Sequence, residues 1–519
     1  MRALPARPAR PFFFGYPGIM SDNRIASVVI VGGGTAGWMS AALLARTLPQ
    51  IKVRLIESEE IGTVGVGEAT IPAIQLFNNL LGLDENDVLR HTEGTFKLGI
   101  EFVDWYARGH RYSHMFGPIG QPIGLLPFYQ YWLRQHLDRR GGSLWDYAFN
   151  DVAAKAGKFA RLPRIPDSPL EGLVHAIQFD AGLYAKYLRA WCEKAGVVRT
   201  EGRVTGVDVR DGGFIDRLTL QSGEVVTGDL FIDCSGFRGL LIEQALHAGY
   251  DDWTSYLPCD RAVAVPCART SDPIPYTRAT AHTAGWQWRI PLQHRTGNGH
   301  VFSSAFMSDD EATQILMANL DGEALADPRV LKFTAGRRKA FWVGNCVALG
   351  LASGFLEPLE STSIHLAQAG MIRLLTMFPD KGFNPIEIAE YNSLTAREYD
   401  YVRDFLMLHY TATTRDDSAF WRHCRDMALP DSLAAKIELF REHGRLSIEA
   451  DDLFREASWV QVLIGQGIVP KAASPLVDAL SDVQTGELFA NLRAIMTHTA
   501  QRLPSHAAFL DRFCKATAA

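Results

Sequence analysis

Residues 28–37 read Val28-Val29-Ile30-Val31-Gly32-Gly33-Gly34-Thr35-Ala36-Gly37, and this stretch decides the fold. An apolar run leads into three glycines, and small residues then open the next segment. A second apolar run, from Val53 to Ile56, ends at Glu57. A strand, a glycine turn, a helix and a second strand in this order are typical of a dinucleotide-binding unit. The sequence therefore predicts a β–α–β unit of this type in an α/β fold.

Each small residue of the turn has a physical role in this prediction. Gly32 permits a tight turn, Gly34 lets the backbone approach a pyrophosphate, and Gly37 lets the helix pack closely on the strand. The start of the helix offers free N–H groups and a partial positive charge to phosphates. Glu57, twenty residues after Gly37, is placed to bind ribose hydroxyls. The predicted cofactor contacts of the unit are Gly32, Gly34, Thr35, Ala36, Gly37 and Glu57.

The composition is that of an ordinary folded enzyme, with 47% hydrophobic and 21% charged residues. A net charge of -6 gives no basic surface, so nucleic acid is not an expected partner. No apolar run approaches the roughly 18 residues of a membrane helix. The seven cysteines are dispersed and form no C-x-x-C pair, which argues against disulfides and a zinc site and predicts a reducing cytoplasm.

The first residues differ from the rest of the chain. Met1 to Ile19 contains four prolines and three arginines, and its apolar core is too short and broken for a secretory signal. We predict that residues 1–23 form a flexible leader, with Met20 as an alternative start. Packing of this segment on the surface is the alternative.

A second glycine-rich segment runs from Ile61 to Pro72, and its glycines suit a loop against a flat ligand. Lys97 then lies among apolar neighbours, which is unusual for lysine. The pattern alone favours a side chain whose charged head reaches water. Residues 106–170 are rich in Gly, Pro and aromatic residues and are predicted to be an irregular, substrate-side insertion.

Further strands and turns follow in the second half of the chain. Residues 229–236 and 347–354 each read as a buried strand that runs into a small-residue turn, and the first is the expected second cofactor contact. Gly285 to Pro291 is predicted to be extended, with Trp286 and Trp288 on one face, where they cover a core or line an aromatic slot. A helix begins near Thr362, and residues 385–519 are predicted to be all-α.

These segments together resemble the flavin-dependent tryptophan halogenases, from about Ile25 to Trp421. The most specific match is Gly285-Trp286-Gln287-Trp288-Arg289-Ile290-Pro291, which is similar to the family's W-x-W-x-I-P signature. Matching segments also occur at 65–72, 96–97, 355–362 and 409–417. The resemblance implies an FAD-binding, glutathione-reductase-like α/β fold with an added helical substrate subdomain. It divides the chain into an FAD module with an interleaved substrate-side sheet, 24–384, and a helical subdomain, 385–519.

The family's chemistry is what the resemblance implies for this chain. Reduced FAD and oxygen give a flavin hydroperoxide, halide attacks it, and hypohalous acid travels through a tunnel to a separate aromatic site. Lys97 receives the oxidant, as a haloamine or through a hydrogen bond. Glu360 stabilises the arenium intermediate, takes its proton or orients the oxidant. Chloride or bromide is the halide, and a separate flavin reductase supplies FADH2 by diffusion, because only one full dinucleotide motif is present.

The resemblance also assigns the remaining site residues. The backbone N–H groups of Thr362 and Ser363 hold the halide, and Trp286 and Trp288 block hydroxylation and shape the tunnel. His114 and Phe116 sandwich an indole. Further cofactor contacts are Gly67, Glu68, Ala69, Thr70, Val204, Leu351 and Ile364, and further tunnel residues are Pro358 and Ser361.

Two departures from the family pattern matter. The F-x-x-P-x-x-S-x-G pattern ends in Ser363 instead of glycine, which changes the halide loop. The aromatic insert that clamps the amino-acid group of tryptophan is missing, since residues 454–459 run almost straight into 465–470. The sequence therefore predicts indole, or another electron-rich aromatic without an amino-acid tail, as the preferred substrate.

Two other functions were weighed against halogenation. A flavin-dependent aromatic hydroxylase shares the fold, but it lacks the tryptophan pair, and its usual Gly-Asp is here Gly350-Leu351. A flavoprotein that has lost catalysis would not be expected to retain Lys97 and Glu360. The oligomeric state stays open between monomer and homodimer.

Overall fold

The computed structural model of the chain describes residues 23–60 and 67–516. The predicted leader, apart from its last residue, and the glycine-rich residues 61–66 lie outside the described residues. Within those two ranges no helix is long and apolar enough to cross a membrane.

The fold contains fourteen helices and twenty-three strands in the described ranges. The helices are α1 (Thr35–Thr47), α2 (Ile74–Leu81), α3 (Glu85–His91), α4 (Phe128–Leu137), α5 (Phe149–Lys155), α6 (Ala181–Lys194), α7 (Asp309–Ala318), α8 (Ser363–Thr376), α9 (Pro385–Thr411), α10 (Ala419–Asp426), α11 (Asp431–His443), α12 (Glu456–Gly465), α13 (Asp482–Arg502) and α14 (His506–Phe513). The strands are β1 (Ser27–Val31), β2 (Lys52–Glu57), β3 (Gly67–Ala69), β4 (Thr95–Lys97), β5 (Gly99–Val103), β6 (Arg111–Met115), β7 (Ala176–Asp180), β8 (Val198–Glu201), β9 (Val204–Arg210), β10 (Phe214–Leu220), β11 (Val225–Val226), β12 (Leu230–Asp233), β13 (Tyr250–Asp252), β14 (Arg261–Ala264), β15 (Cys267–Ala268), β16 (Thr277–His282), β17 (Gly285–Pro291), β18 (Arg295–Phe302), β19 (Arg329–Lys332), β20 (Gly336–Arg338), β21 (Trp342–Val343), β22 (Cys346–Ala348) and β23 (Gly354–Phe355).

A six-stranded sheet in the order β21-β22-β12-β1-β2-β8 forms the cofactor side of the fold. Strand β1 pairs in parallel with β2 and β12, and β12 pairs in parallel with β22. Both faces of β1 are buried, because Val28 and Ile30 join the main core while Val29 and Val31 join a second core shared with β10. The predicted β–α–β unit and both later strand-to-turn segments are confirmed.

A second sheet has eight strands, with the path β19-β14-β18-β17-β16-β5-β6 and β15 paired to β18. Strand β17 lies inside this sheet between β16 and β18, so the predicted extended segment is confirmed. Trp286 and Trp288 are both buried on it. Strand β4, which ends at Lys97, belongs to a separate three-stranded sheet and leads directly into β5.

The prediction of an irregular segment at 106–170 is wrong, since this stretch contains β6, α4 and α5. Helix α4 has the sequence FYQYWLRQHL, whose aromatic residues favour strands in isolation. Six consecutive residues, 128–133, are buried in α4, so tertiary packing overrides local preference. The loop predicted at 61–72 is also corrected at its end, where 67–69 pair with β7.

Helices α9 to α14 confirm the predicted helical C-terminal part. Helix α9 begins with Pro385, and the Asn384 side chain accepts a hydrogen bond from the N–H of Ile386 as its cap. Its last turns are buried, including His409 and Tyr410. These turns bring two adjacent polar side chains of α9 against the loop that precedes α8.

Candidate active site

The glycine turn after β1 has the backbone geometry that its sequence predicts. Gly32 has φ +116°, and a side-chain carbon there would lie 2.2 Å from the carbonyl oxygen of Cys234. A side-chain carbon at Gly37 would lie 1.9 Å from the carbonyl oxygen of Gly32. Gly34 faces open space, and α1 starts at Thr35 without a side-chain cap or an acidic residue in its first turn. The free N–H groups and the open backbone fit the phosphates of FAD.

Glu57 ends β2 next to this turn. A side-chain carbon at Gly33 would collide with its carboxylate, so Gly33 lets the acid approach the turn. Sequence reasoning did not single out Gly33. The carboxylate also contacts Arg199 at 2.5 Å and Arg189 at 3.4 Å. It stands where a ribose would lie if the phosphates sit at the start of α1.

The structure brings several other predicted cofactor residues to the same edge. Val204 begins β9, two residues after Gly202, whose N–H donates to the carbonyl of Glu57. Leu351 lies in a short helical turn after Gly350, and a side-chain carbon at Gly350 would meet Ala36 at 2.6 Å. Away from this edge, Gly67, Glu68 and Ala69 form β3, the Thr70 hydroxyl donates to the carbonyl of Ile177, and Ile364 lies in the first turn of α8.

Lys97 is completely buried, so the interpretation of a lysine whose head reaches water is wrong. Its Nζ donates a 2.7 Å hydrogen bond to Oγ of Ser361 and lies 5.5 Å from the centre of the Phe116 ring. Burial lowers the pKa of Lys97 to about 7, although the nearby Glu360 carboxylate opposes the shift. A large fraction of the side chain is therefore free amine at neutral pH.

Glu360 is buried between two histidines from different parts of the fold. Its Oε2 lies 2.8 Å from Nδ1 of His114 on β6, and its Oε1 lies 2.9 Å from Nε2 of His409 on α9. The second contact is close but poorly aligned for a hydrogen bond. Burial alone would raise the pKa of Glu360, but the two histidines outweigh it and lower this pKa. Glu360 is therefore ionised.

The tautomer of His409 follows from its neighbours. The hydroxyl of Tyr112 lies 2.7 Å from Nδ1 of His409, and burial raises the pKa of Tyr112, which keeps this hydroxyl protonated. Burial also lowers the pKa of His409. A neutral ring that accepts from Tyr112 at Nδ1 carries its proton on Nε2, facing the carboxylate of Glu360. The neutral His409 ring therefore points an N–H group toward Glu360 and carries no positive charge of its own.

A second buried carboxylate, Glu357, lies three residues before Glu360. Its Oε1 accepts a 2.5 Å hydrogen bond from the hydroxyl of Tyr410 and a 3.2 Å hydrogen bond from Nε1 of Trp286. Its Oε2 is buried without a hydrogen-bond partner. Burial raises the pKa of Glu357 to about 7, although both donors act in the opposite direction. At neutral pH Glu357 is thus protonated to a much larger extent than Glu360.

The turn between Glu360 and α8 contains the predicted halide residues. Pro358 opens a short helical turn that ends at Ser361, which has φ +59° and is one of the few non-glycine residues in this region of backbone space. Thr362 is the residue before α8, and its buried Oγ1 has no hydrogen-bond partner. Ser363 begins α8 without a positive φ, so serine fits where the family pattern has glycine.

The predicted aromatic residues lie around this turn. His114 contacts Glu360, as described, and Phe116 lies beside Lys97 and is half-buried. Trp286 packs near Trp288, with ring centroids 6.2 Å apart. The flat ring of Trp288 covers Gly299, where a side-chain carbon would lie 2.0 Å from it.

Sequence reasoning missed four polar residues of this site: Tyr112, Glu357, His409 and Tyr410. Glu357 and Glu360 form an E-P-L-E pair, and a second glutamate inside the matched segment was the available signal. His409 and Tyr410 lie in the segment 409–417 that matches the family, but the sequence analysis gave neither of them a role in the site. Tyr112 lies two residues before His114 on β6, and strand alternation places both on one face.

Known proteins that are similar to this chain are halogenases. The family model described as tryptophan halogenase matches residues 27–482. Tryptophan 7-halogenase RebH of Lentzea aerocolonigenes is 34% identical over 94% of this chain and 99% of its own length. A flavin-dependent halogenase from Xanthomonas campestris has a structure with a TM-score of 0.93 at 47% identity, covering 96% of this chain and all of its own. BrvH, a flavin-dependent halogenase from Brevundimonas sp. BAL3, has a TM-score of 0.90 at 46% identity, covering 95% and 100%.

These matches confirm the resemblance, the FAD-binding α/β fold and the halogenase function, and nothing in them supports the hydroxylase alternative. The enzyme is an oxidoreductase that uses FAD and halide to halogenate an aromatic substrate, with a separate flavin reductase as its partner. The chain belongs to the tryptophan halogenase family.

Proposed function

We propose that this enzyme halogenates indole or a similar electron-rich aromatic without an amino-acid tail, and that Lys97 and Glu360 carry the reaction. The observation that carries this proposal is the buried amine of Lys97 and the ionised carboxylate of Glu360, held together by the Ser361 turn. The two groups are adjacent, water is largely excluded, and neither is neutralised by a direct salt bridge to the other. Such an arrangement suits transfer of an electrophile to an aromatic ring.

Bound reduced FAD supplies, with oxygen, the chemistry that converts halide into hypohalous acid. Gly32, Gly34 and Gly37 with Glu57 hold the cofactor at the sheet edge. Lys97 is the residue that takes the electrophilic halogen at its free amine, and Ser361 orients that amine. Because Lys97 is buried, the halogen it carries is shielded from hydrolysis by bulk water.

Glu360 acts on the aromatic ring during substitution. An arenium intermediate is cationic, and an ionised carboxylate in a water-poor site stabilises it and accepts its proton. His114 and His409 keep the carboxylate ionised and fix its orientation. His114 and Phe116 flank the ring, because one contacts Glu360 and the other contacts Lys97.

The halide site is proposed at the start of α8. The backbone N–H groups of Thr362 and Ser363 lie at an uncapped helix start beside the unpartnered Thr362 hydroxyl. The hydroxyl of Ser363 adds a donor that the family glycine lacks. Trp286 and Trp288, with Pro358 and Ser361, are proposed to line the path from the cofactor side to Lys97.

The loop between α11 and α12 supports a substrate without an amino-acid tail. Two charged groups of the loop and one just after it have partners within the protein. Asp452 contacts Lys436, Arg455 donates to the carbonyl of Glu449, and Glu456 at the start of α12 accepts from Tyr129. Phe454 stacks on Phe405 with ring centroids 3.8 Å apart, which fills the space beside His114 with an apolar ring. These groups offer no clamp for an ammonium and a carboxylate.

The domain boundary, the location, the transfer of FADH2 and the oligomeric state are further parts of the proposal. We place the boundary between an FAD module with its substrate-side sheet and a helical subdomain near 384, where Asn384 caps α9. All seven cysteines are free, which supports a cytoplasmic location. Transfer of FADH2 by diffusion, and a monomer or a homodimer, complete the proposal.

A product assay tests the function. Purified enzyme receives FAD, an NADH-driven flavin reductase, oxygen and equal concentrations of bromide and chloride, with indole and tryptophan in competition. We expect halogenated indole in excess over halogenated tryptophan by mass spectrometry, and its loss in Lys97→Met. Lys436→Met, which removes another largely buried lysine, serves as the matched control and retains activity.

Three outcomes would contradict parts of the proposal. A higher kcat/KM on tryptophan than on indole would overturn the substrate class. A mass gain of one oxygen, independent of halide and of Lys97, would indicate hydroxylation. No halogenated or hydroxylated product, with flavin bound and hydrogen peroxide formed only at the rate of the reductase alone, would indicate a protein that binds flavin without catalysis.

A further inference from the structure

Glu357 joins three separate parts of the fold at a single oxygen atom. Oε1 accepts from Trp286 on β17 of the substrate-side sheet and from Tyr410 at the end of α9, while Glu357 itself lies on the loop before α8. All three side chains are buried. A buried carboxylate with two donors from different elements fixes their relative position, because loss of the acceptor leaves both donors unpaired.

The arrangement extends to the catalytic site through Trp105. The ring of this tryptophan lies 6.2 Å from that of Trp286, 5.2 Å from Tyr410 and 5.9 Å from His409, measured between centroids. His409 and Tyr410 are adjacent on α9, so the donors to Glu360 and Glu357 come from one turn of helix. Movement of Trp286 or Tyr410 would therefore displace groups that also contact His409.

The unpartnered Oε2 is the second feature of Glu357. An ionised carboxylate at this place would leave a buried charge with only one of its oxygens paired, which is costly. Protonation at Oε2 leaves Oε1 free to accept both hydrogen bonds. The contact pattern is therefore retained in the neutral acid, and burial that raises the pKa of Glu357 to about 7 agrees with this.

We propose that Glu357 is a positioning residue that holds the indole of Trp286 in the wall of the path to Lys97 and thereby limits escape of hypohalous acid. This rests on the proposed function, in which Trp286 lines that path. Glu357 does not touch the substrate. It acts through Trp286, so its loss changes how the oxidant is partitioned between Lys97 and solvent, and leaves formation of the oxidant intact.

Partition is measured by adding taurine, which captures hypohalous acid released to solvent as an N-halotaurine. For each variant the halogenated indole, the N-halotaurine and the oxidised flavin are measured in the same reaction. Glu357→Gln retains an acceptor oxygen, and we expect its ratio of product to trapped acid to lie within about twofold of the original. Glu357→Leu removes the acceptor, and we expect this ratio to fall about tenfold at an unchanged rate of flavin oxidation.

A spectroscopic readout makes the test independent of turnover. In protein labelled with 15N-tryptophan, the indole N–H signal of Trp286 is assigned by its loss in Trp286→Phe. We expect that signal to shift and to exchange faster with solvent in Glu357→Leu, and to be preserved in Glu357→Gln. If the protein made no halogenated product, the proposed function would fail, and this spectrum would still decide whether Glu357 holds the indole.

Two further variants control for stability. Tyr410→Phe removes the other donor and is expected to cause an intermediate leak, which keeps the proposal testable if Glu357→Leu does not fold. Asp404→Asn removes another buried carboxylate of α9, one that contacts Arg403 and Ser432, and is expected to lower the Tm without changing partition. An unchanged indole signal and partition in Glu357→Leu, or an equal loss in Glu357→Gln, would overturn the proposal.

Discussion

Glu357 and Glu360 lie three residues apart on one loop, and both are buried, yet their surroundings differ. Each carboxylate contacts one residue of α9 and one residue of the eight-stranded sheet. For Glu360 these are His409 and His114, and for Glu357 they are Tyr410 and Trp286. The same two structural elements thus provide ionisable rings to one glutamate and neutral donors to the other.

The difference teaches which factor sets the charge of a buried acid here. Burial raises the pKa of both carboxyls. The two histidines outweigh burial at Glu360, whereas a phenol and an indole do not outweigh it at Glu357. Burial is therefore common to the pair, and the chemistry of the neighbouring groups decides that Glu360 is an anion while Glu357 is protonated to a much larger extent near neutral pH.

The largest expected effect separates the two glutamates by activity. Glu360→Gln removes the anion that we propose stabilises the cationic ring and accepts its proton, and general base catalysis of this kind contributes about 10²-fold or more. We expect formation of halogenated indole to fall by about that factor, with flavin oxidation unchanged. Glu357→Gln, measured beside it, should stay within about threefold. Similar losses in both variants would mean that the two carboxylates share one role.

The pH dependence of the free energy of unfolding gives the next largest difference between Glu357 and Glu360. The pKa of Glu357 rises from 4.5 to about 7 on folding, so the folded state binds its proton more tightly. Stability from this group is complete below pH 4.5 and is lost as the pH rises to about 7. Relative to Glu357→Gln, the original protein should lose on the order of 3 kcal/mol of unfolding free energy between pH 4.5 and 7.

Denaturant unfolding of both proteins at pH 5, 6, 7 and 8 measures this difference. Glu360→Gln is the control with the opposite sign, because a lowered pKa contributes stability that is lost only in acid, as the pH falls below the ordinary range of a carboxyl. The Glu360 carboxyl itself therefore contributes no change from pH 6 to pH 8, and any change in that range reports Lys97, whose pKa of about 7 depends on the Glu360 carboxylate. A constant difference for Glu357→Gln would show that Glu357 is ionised throughout this range.

The comparison of Glu357 with Glu360 also shows which features of the fold and the site can be predicted from the sequence. The glycine turn, the flanking strands and Glu57 were recognised because local geometry requires those residue types. Lys97 illustrates the limit, since its apolar neighbours favoured a head in water, and only the resemblance assigned it a buried role. The partners of Glu360 and Glu357 lie between 49 and 246 residues away along the chain, and no local pattern encodes such contacts.

Helix α4 shows the same limit for secondary structure. Its aromatic residues obscure the helical periodicity in the sequence. Burial against the C-terminal helices stabilises α4. The turn at Ser361 has φ +59° although its residue type does not require it, so tertiary contacts, including the bond from Lys97, fix that conformation. Sequence reasoning proposed Lys97 and Glu360 as the reacting groups, and it missed Tyr112, Glu357, His409 and Tyr410 around them.

The pH dependence of halogen transfer tests whether Lys97, the group beside Glu360, acts as a free amine. Lys97 has a pKa of about 7 because of its burial, so its free amine increases as the pH rises. If the amine takes the halogen, product formed per hypohalous acid generated should rise about tenfold from pH 6 to pH 8, as for one group with this pKa. Flavin oxidation and trapped acid are measured in parallel as the control. A ratio that falls with pH would instead favour a protonated Lys97 that binds the oxidant through a hydrogen bond.

The smallest expected effects concern Tyr112 and Cys259, the residues that contact His409 and Tyr410. Tyr112 fixes the tautomer of His409, and Tyr112→Phe removes that hydrogen bond while the ring stays stacked on Phe102, with centroids 4.8 Å apart. A hydrogen bond of this kind contributes about 1 kcal/mol, so product formation should fall about fivefold.

The matching variant near Glu357 is at Cys259, whose Sγ lies 3.6 Å from the Tyr410 hydroxyl. Cys259→Ala should change product formation by less than about twofold, because Tyr410 donates to Glu357 without it. Equal effects would mean that the tautomer of His409 is fixed by Glu360 itself, and the two glutamates would then differ only in their immediate donors.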